Sequence, residues 1–246
     1  MNLDTPHERL IQRLGAHGKL EDEHKAAVRA LPMRVRDFAD DADLVRQGDR
    51  PKECCLIVRG MACRYKLVSG GKRQILSICF TGDLPDLQSL QLEVMDHSIS
   101  ALTVVRAAFI PHEAMKALWA EHPALGQLFL KHALIDAAIF RDWVANVGRR
   151  SAYERIAHLF CEVFIRMQSL GLAATDSFRL PMTQSELGDA TALSTVHVNR
   201  VLQQLRRESL IASQGDVHEI VDWEGLKQAG DFDESYLHQG RGGDVN

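Results

Sequence analysis

The chain is 246 residues long with 46% apolar and 25% charged side chains, which suits two ordinary globular domains and excludes a disordered or fibrous chain. Its net charge of −4 excludes nucleic-acid binding driven by bulk positive charge. The N-terminal MNLDTPHERL lacks an apolar core, and the apolar runs near 99–110 and 125–140 are interrupted by Arg106, Lys131 and Asp136. No secretory signal or membrane span is therefore expected, and the reading is a cytoplasmic protein with no membrane contact.

Residues 1–31 read as one or two short helices, with helical spacing over His24–Leu31 that stops before Pro32. From Met33 to about Pro111 the pattern changes to short alternating runs: Asp43–Gln47, Cys54–Val58, Met61–Val68, Gln74–Phe80 and Ser100–Ile110. Turns at Gly48–Asp49, Arg59–Gly60, Ser69–Lys72 and Gly82–Asp83 separate them, which implies an antiparallel barrel or sandwich. The five cysteines, Cys54, Cys55, Cys63, Cys79 and Cys161, are odd in number and form no CxxC pair, so no disulfide framework is expected. Cys54 and Cys55 are adjacent on a predicted strand and point to opposite faces, which leaves them poorly placed to share a metal. No metal site is expected.

A helical stretch follows. His112 to about Glu121 is one short helix stopped near Pro123, and Ala124–Asn146 is a long one. Leu125, Leu128, His132, Ile135, Ile139 and Asn146 mark a seam at roughly heptad spacing, flanked by Phe129, Ala138 and Trp143. Leu128, His132, Ile135, Ile139 and Trp143 are the expected contacts of a homodimer. Gly148–Ser151 is expected to break the helix as a hinge. Ser151 with Glu154 forms a capping box that opens a helix burying Ile156, Leu159, Phe160, Val163, Phe164 and Met167 and ending at Gly171.

The most informative stretch is Met182–Ser213. Thr183 with Glu186 is another capping box, and Leu187 and Ala190 lie on the inner face of the helix it opens. Gly188 and Asp189–Leu193 are expected to break that helix and turn the chain. Ser194 caps a second helix that buries Val198, Val201, Leu202 and Leu205. Its opposite face carries Thr195, Val196, Asn199, Arg200, Gln203 and Arg207, a mixture that suits base edges: Arg bridges two guanine acceptors and Asn an adenine. The cap residues Thr183 and Ser194, together with His197, complete the expected DNA-contact set. Leu210–Ala212, the Gln214–Asp216 turn and Val217–Val221 read as a hairpin, the wing of a winged helix. From Ser151 onward the chain holds eight Lys and Arg against fourteen Asp and Glu, which counts against DNA binding by bulk charge; the counter-argument is position, since Arg200, Arg206 and Arg207 cluster on one helix.

A β-roll, a long helix, a hinge and a winged helix in this order resemble the Crp/Fnr family of bacterial transcription regulators. The residues that carry the resemblance are the Gly60 and Gly82–Asp83 turns, the long helix, Arg155–Leu159 and Leu193–Leu202, and it spans about Leu31 to Trp223. It implies an α+β chain with an N-terminal antiparallel β-roll of the cupin-like, cyclic-nucleotide-binding type, a dimerisation helix and a C-terminal winged helix-turn-helix. It further implies a homodimer on a two-fold symmetric site of double-stranded DNA, with RNA polymerase as a partner if the protein activates. The domains expected are 1–122, the helix 123–148, the DNA-binding domain 149–230 and a flexible tail 231–246. Family members usually carry Arg-Glu early in the recognition helix and another Arg a turn later. Here those places hold Thr195, Val196 and Arg200, so the half-site should differ. In the cyclic-AMP binders the segment after the Gly-Asp turn supplies a Glu and an Arg-Ser pair. Here those places are Leu87, His97 and Ser98, and an apolar Leu cannot accept a ribose hydrogen bond.

Asp86, Leu87, His97 and Ser98 are the candidate effector-pocket residues, with no tight cyclic-nucleotide binding expected. No cysteine precedes Cys54 to hold an iron–sulfur cluster, and no spacing selects Cys79, His97 or His112 as a haem ligand. No cofactor is expected, and a small-molecule effector of unknown identity is left open. The chain has no Gly-rich phosphate loop, HExxH or GxSxG, and the Asp96–His97–Ser98 neighbours cannot face one another on a strand, so no catalytic residue is expected. The second reading left open is a ligand- or redox-sensing module acting through protein contacts.

Overall fold

The structure is a computed structural model, and it describes residues 5–239. Two helices lead, α1 (Pro6–Gly15) and α2 (Asp22–Arg29), with Thr5 capping α1 from its side chain. Seven strands follow: β1 (Arg34–Phe38), β2 (Asp43–Val45), β3 (Glu53–Arg59), β4 (Ala62–Leu67), β5 (Arg73–Cys79), β6 (Ser98–Ala101) and β7 (Val105–Pro111). They form two sheets, ordered β1-β7-β3 and β2-β6-β4-β5. The run expected as one strand over Ser100–Ile110 is two. The chain bends at Leu102–Val104, where Leu102 N–H donates to Met61 O. Gly60, at φ +91°, lets this bend come close, since a Cβ there would lie 2.4 Å from Val104 O. Strand β1 was not anticipated. Four of its five residues are exposed, so it lacks the apolar alternation that marks a half-buried strand.

Strand β3 is buried on both faces. Cys54, Leu56 and Val58 join Leu10, Leu14, Val28 and Phe129 in a core with the flanking helices. Cys55 and Ile57 join Ile99, Ala107 and Phe109 in a core between the sheets. The two adjacent cysteines do point opposite ways, as strand geometry requires.

Helices α3 (His112–Glu121), α4 (Pro123–Arg149) and α5 (Ala152–Ser169) come next. Helix α4 passes through Gly148 and ends at Arg149, so the hinge begins later than Gly148. The Ser151–Glu154 capping box fixes the start of α5. The C-terminal part holds β8 (Ser177–Arg179), α6 (Gln184–Thr191), α7 (Thr195–Arg207), β9 (Ile211–Gln214), β10 (Val217–Ile220), α8 (Trp223–Ala229) and a single 3-10 turn, Glu234–Leu237. The chain forms two compact units. One contains the strands up to Lys66 with Ile78–Ala137, and the other contains Leu67–Ser77 with Ala138–His238.

The segment after Gly230 is not a flexible tail over its described length. Phe232 and Leu237 are buried, and the Tyr236 hydroxyl donates to Glu162 Oε2 at 2.8 Å. The rest of that expected tail, 240–246, lies outside the described residues.

Candidate nucleic-acid interface

Helix α6 starts as expected. Thr183 Oγ1 accepts from Glu186 N–H, and the Glu186 carboxylate accepts from Thr183 N–H at 2.7 Å. The helix does not break at Gly188. It continues to Thr191, and the turn is made by Ala192, which sits in the left-handed region at φ 55°. Gly188 is needed for a different reason: a Cβ there would lie 2.5 Å from Leu193 O, which packs against it across the turn. Leu193 N–H donates to Gly188 O at 3.0 Å, closing the corner, and Arg155 Nη1 donates to Thr191 O at 3.1 Å beside it. Ser194 then caps α7, accepting from His197 N–H, and its hydroxyl also meets His197 Nδ1 at 2.9 Å. The hydroxyls of Thr183 and Ser194 are thus engaged in fixing the helix starts.

Leu187, Ala190, Val198, Val201, Leu202 and Leu205 are all buried, as their spacing predicts, and α5 packs against both α6 and α7. The outward face of α7 presents Thr195, Val196, His197, Arg200, Gln203 and Arg207 as exposed side chains, with Asn199 half-buried. Val196 is 78% exposed, an unusual position for a β-branched apolar residue. Among the described residues Arg200 has no hydrogen-bond or ion-pair partner. The wing is a three-stranded sheet ordered β8-β10-β9, its first strand unanticipated, with Arg179 Nε pinned to Asp216 at 2.6 Å.

The acidity of this region is partly neutralised within its own unit. Arg73 Nε donates to Asp189 Oδ2 at 2.8 Å, and Gln74 Nε2 donates to Asp189 O at 2.8 Å. Glu186 is held in its capping box, 3.9 Å from Arg73. The two acids of α6 are therefore compensated, while Arg200, Arg206 and Arg207 stay exposed on α7.

The seam expected on α4 faces inward. His132, Ile135, Ile139, Trp143 and Asn146 are buried in their own chain, and Leu128 is half-buried against the core of the flanking helices. His132 Nδ1 meets His17 Nε2 at 3.0 Å, and burial pushes His17 down to about 4 and His132 well below the usual histidine range. Trp143 Nε1 donates to the Glu162 carboxylate at 3.0 and 3.1 Å. These residues repeat every three or four positions, and so does the opposite face. Spacing alone does not tell which face the chain covers for itself. The outward face carries Leu130, Leu134, the half-buried Ala137, Arg141 and Val144, with Leu130 51%, Leu134 58% and Val144 70% exposed.

In the roll, the four candidate pocket residues are all buried. Leu87 belongs to the core with the flanking helices, because the 3-10 turn Leu87–Leu90 directs it away from the inter-sheet interior. Ser98 Oγ accepts from Gln47 N–H at 2.9 Å. His97 Nδ1 bonds Asp96, and burial, with the nearby Arg64 charge, lowers its pKa. Asp86 is fully buried. Its Oδ1 accepts from Cys55 N–H at 2.7 Å, while Oδ2 has no hydrogen-bond partner. The residue that sequence reasoning missed is Arg64 on β4. It is 4% exposed, donates to Pro85 O at 2.7 Å and forks onto Asp136 of α4 at 2.9 and 2.8 Å. A lone Arg in ACRYKL matches no motif, so nothing in the pattern marked it.

Burial raises the Asp86 carboxyl to about 7, opposed by the Cys55 N–H and the Arg64 charge. A folded pKa above the unfolded 3.8 means a stabilising contribution that is complete below about pH 4 and lost as pH rises to about 7. Asp86→Asn keeps the acceptor for Cys55 and removes the titration. The difference in melting temperature between wild type and Asp86→Asn is expected to shift in favour of the variant between pH 4 and 7, then stay flat. A pH-independent difference would contradict the assignment.

Asp142, His158 and Glu162 bring their potential ligand atoms within 4.8 Å of one another. Each is already engaged: His158 Nε2 lies 2.6 Å from Asp142, and Glu162 accepts from Trp143, Arg166 and Tyr236. This is a hydrogen-bonded network joining α4, α5 and the C-terminal turn. All five cysteines are buried and outside disulfides, and burial raises the thiols of Cys54, Cys55 and Cys161, which disfavours the reactive thiolate. Among the described residues no helix is long and apolar enough to cross a membrane.

Comparison with known proteins agrees with this arrangement. Residues 35–122 match the model of the cyclic nucleotide-binding domain and residues 154–229 that of the Crp-like helix-turn-helix domain. The transcriptional activator protein FnrL of Cereibacter sphaeroides is 26% identical, over 80% of each chain. The nitrogen fixation regulation protein FixK of Rhizobium meliloti is 27% identical, over 78% of this chain and 85% of its own. The solved structure of FixK2 from Bradyrhizobium japonicum superimposes with a TM-score of 0.74 at 21% identity, covering 81% of this chain and 98% of that one. With a roll, a long helix and a winged helix-turn-helix in that order, and with regulators rather than enzymes as relatives, this chain belongs to the Crp/Fnr family of DNA-binding transcription regulators.

Proposed function

We propose that the protein is a cytoplasmic homodimer that sets its paired α7 helices into successive major grooves of a two-fold symmetric DNA site, roughly 34–36 Å apart. The observation that carries this reading is the outward face of α7, where Arg200 is exposed and unengaged beside Val196, Asn199 and Gln203. Arg200 reads guanine and Val196 contacts a thymine methyl. The names of its relatives, the transcriptional activator FnrL among them, support a role in activation, for which RNA polymerase would be the partner.

The dimer contact in this reading is the exposed stripe of α4: Leu130, Leu134, Ala137, Arg141 and Val144, alternating three and four apart. Such spacing suits a two-helix seam, and the apolar residues in it are otherwise open to water. The signal is not a cyclic nucleotide in this account, because Leu87 faces the wrong core and the Arg64 guanidinium is already spent on Asp136 and Pro85. No cofactor is required, and a small-molecule effector of another class remains compatible.

Leu134→Glu combined with Val144→Glu tests the dimer. Both sites are exposed, so the variant should fold. Analytical ultracentrifugation should show a monomer that binds a single half-site weakly. A variant that stays dimeric at micromolar concentration would remove this stripe as the interface.

A further inference from the structure

The outward face of the helix-turn-helix carries a ladder of three carboxamides. Asn199 Nδ2 donates to Gln184 Oε1 at 3.3 Å, and Asn199 Oδ1 accepts from Gln203 Nε2 at 2.8 Å. Gln184 is the first residue of α6, directly after the Thr183 cap, so the backbone beneath it is fixed by the complete capping box. Gln203 lies one turn beyond Asn199 on α7. The ladder thus ties the first helix of the motif to the second across their exposed side.

A carboxamide has two N–H donors and two lone pairs on oxygen. Asn199 spends one of each on its neighbours and keeps one of each. A bidentate contact to adenine in the major groove needs one donor toward N7 and one acceptor for the N6 amino group. The capacity that remains on Asn199 matches that edge. Both ladder bonds also oppose a reversal of the amide, because turning it over would set nitrogen against nitrogen at Gln203 and oxygen against oxygen at Gln184. An unsupported Asn would have to lose that freedom on binding.

We propose that Asn199 reads an adenine in each half-site and that Gln184 is the positioning residue that holds its amide for the task. The inference rests on the DNA-docking reading above. It makes Gln184 a determinant of specificity although it lies on the other helix of the motif.

The test is in-vitro selection from a random DNA library, followed by titration of the selected site and its single-base variants. It uses the full-length wild type and the Asn199→Ala, Gln184→Ala and Gln184→Glu variants. Asn199→Ala should erase the preference for one A·T pair per half-site, a loss of about 5- to 150-fold in discrimination. Gln184→Ala should weaken discrimination at that same pair by about 2- to 10-fold, the order expected for freeing one side chain. Preferences at other positions should be unchanged. Gln184→Glu keeps an oxygen facing the Asn199 amide and should retain the preference for adenine, while its charge lowers affinity for every sequence.

Equal loss across all sequences for Gln184→Ala, with the adenine preference intact, would mean a phosphate contact and would overturn the proposal. So would an Asn199→Ala protein that still prefers the same base. If wild type selects no site, the docking reading fails. If it selects a symmetric site that ignores Gln184, only this inference does. Melting temperatures should be unmoved, since Gln184 is exposed and Asn199 half-buried outside the core.

Discussion

Glu162→Ala is expected to lower the stability of the DNA-binding unit by about 3–5 kcal/mol, the range for breaking a buried charge pair from one side. Glu162 is 0% exposed and accepts from three side chains: Trp143 Nε1, Arg166 at 3.2 Å and Tyr236 at 2.8 Å. Its loss takes from the Trp143 indole its acceptor among the described residues and removes the carboxylate paired with Arg166. A buried donor left unsatisfied costs about 1–3 kcal/mol by itself. These costs overlap, so the pair value is the better estimate. Because whole proteins are stable by only about 5–15 kcal/mol, the variant should unfold at markedly lower urea. Glu162→Gln retains an acceptor of the same shape and should lose less. A midpoint shift corresponding to under about 1 kcal/mol for Glu162→Ala would show that the network contributes little beyond packing.

Arg200→Ala should abolish specific DNA binding and leave the fold intact. Arg200 is exposed and has no hydrogen-bond or ion-pair partner among the described residues, so the melting temperature has no reason to move. A bidentate contact to guanine contributes about 1–3 kcal/mol of discrimination. Two protomers on a symmetric site double it, which predicts a loss of about 30-fold or more for the specific site. Non-specific affinity should change little. The contrasting outcome is informative: a uniform loss on all sequences, with a shallower dependence on salt, would place Arg200 on a phosphate.

What could be read in the sequence followed from local rules. The capping boxes at Ser151–Glu154 and Thr183–Glu186 marked helix starts to the residue, because the bonds that form them are local. The inner face of α7 was legible because four apolar residues at helical spacing have one place to go. The misreadings share another cause: they concern which partner a face or residue meets. The inward stripe of α4 and its outward stripe have the same period, and only the fold places Trp143 on Glu162 and leaves Val144 bare. Gly188 looked like a helix breaker, yet it admits the Leu193 carbonyl five residues on, a contact no propensity describes. Arg64 is a buried cation of the roll and was invisible, since its partner Asp136 lies 72 residues away. Residues 231–238 looked like a charged tail, and Tyr236 holds them through a partner 74 residues earlier.

The central claim is that α7 of two copies reads a symmetric site, and selection of DNA sites from a random library by the purified full-length protein tests it most directly. The account predicts an inverted repeat with half-sites centred roughly 10–10.5 base pairs apart, or a multiple of that, each containing a guanine whose selection disappears with Arg200→Ala. It also predicts the same motif with and without reductant and without added cyclic nucleotide. Enrichment of no motif, or of a lone half-site bound by one copy, would contradict it.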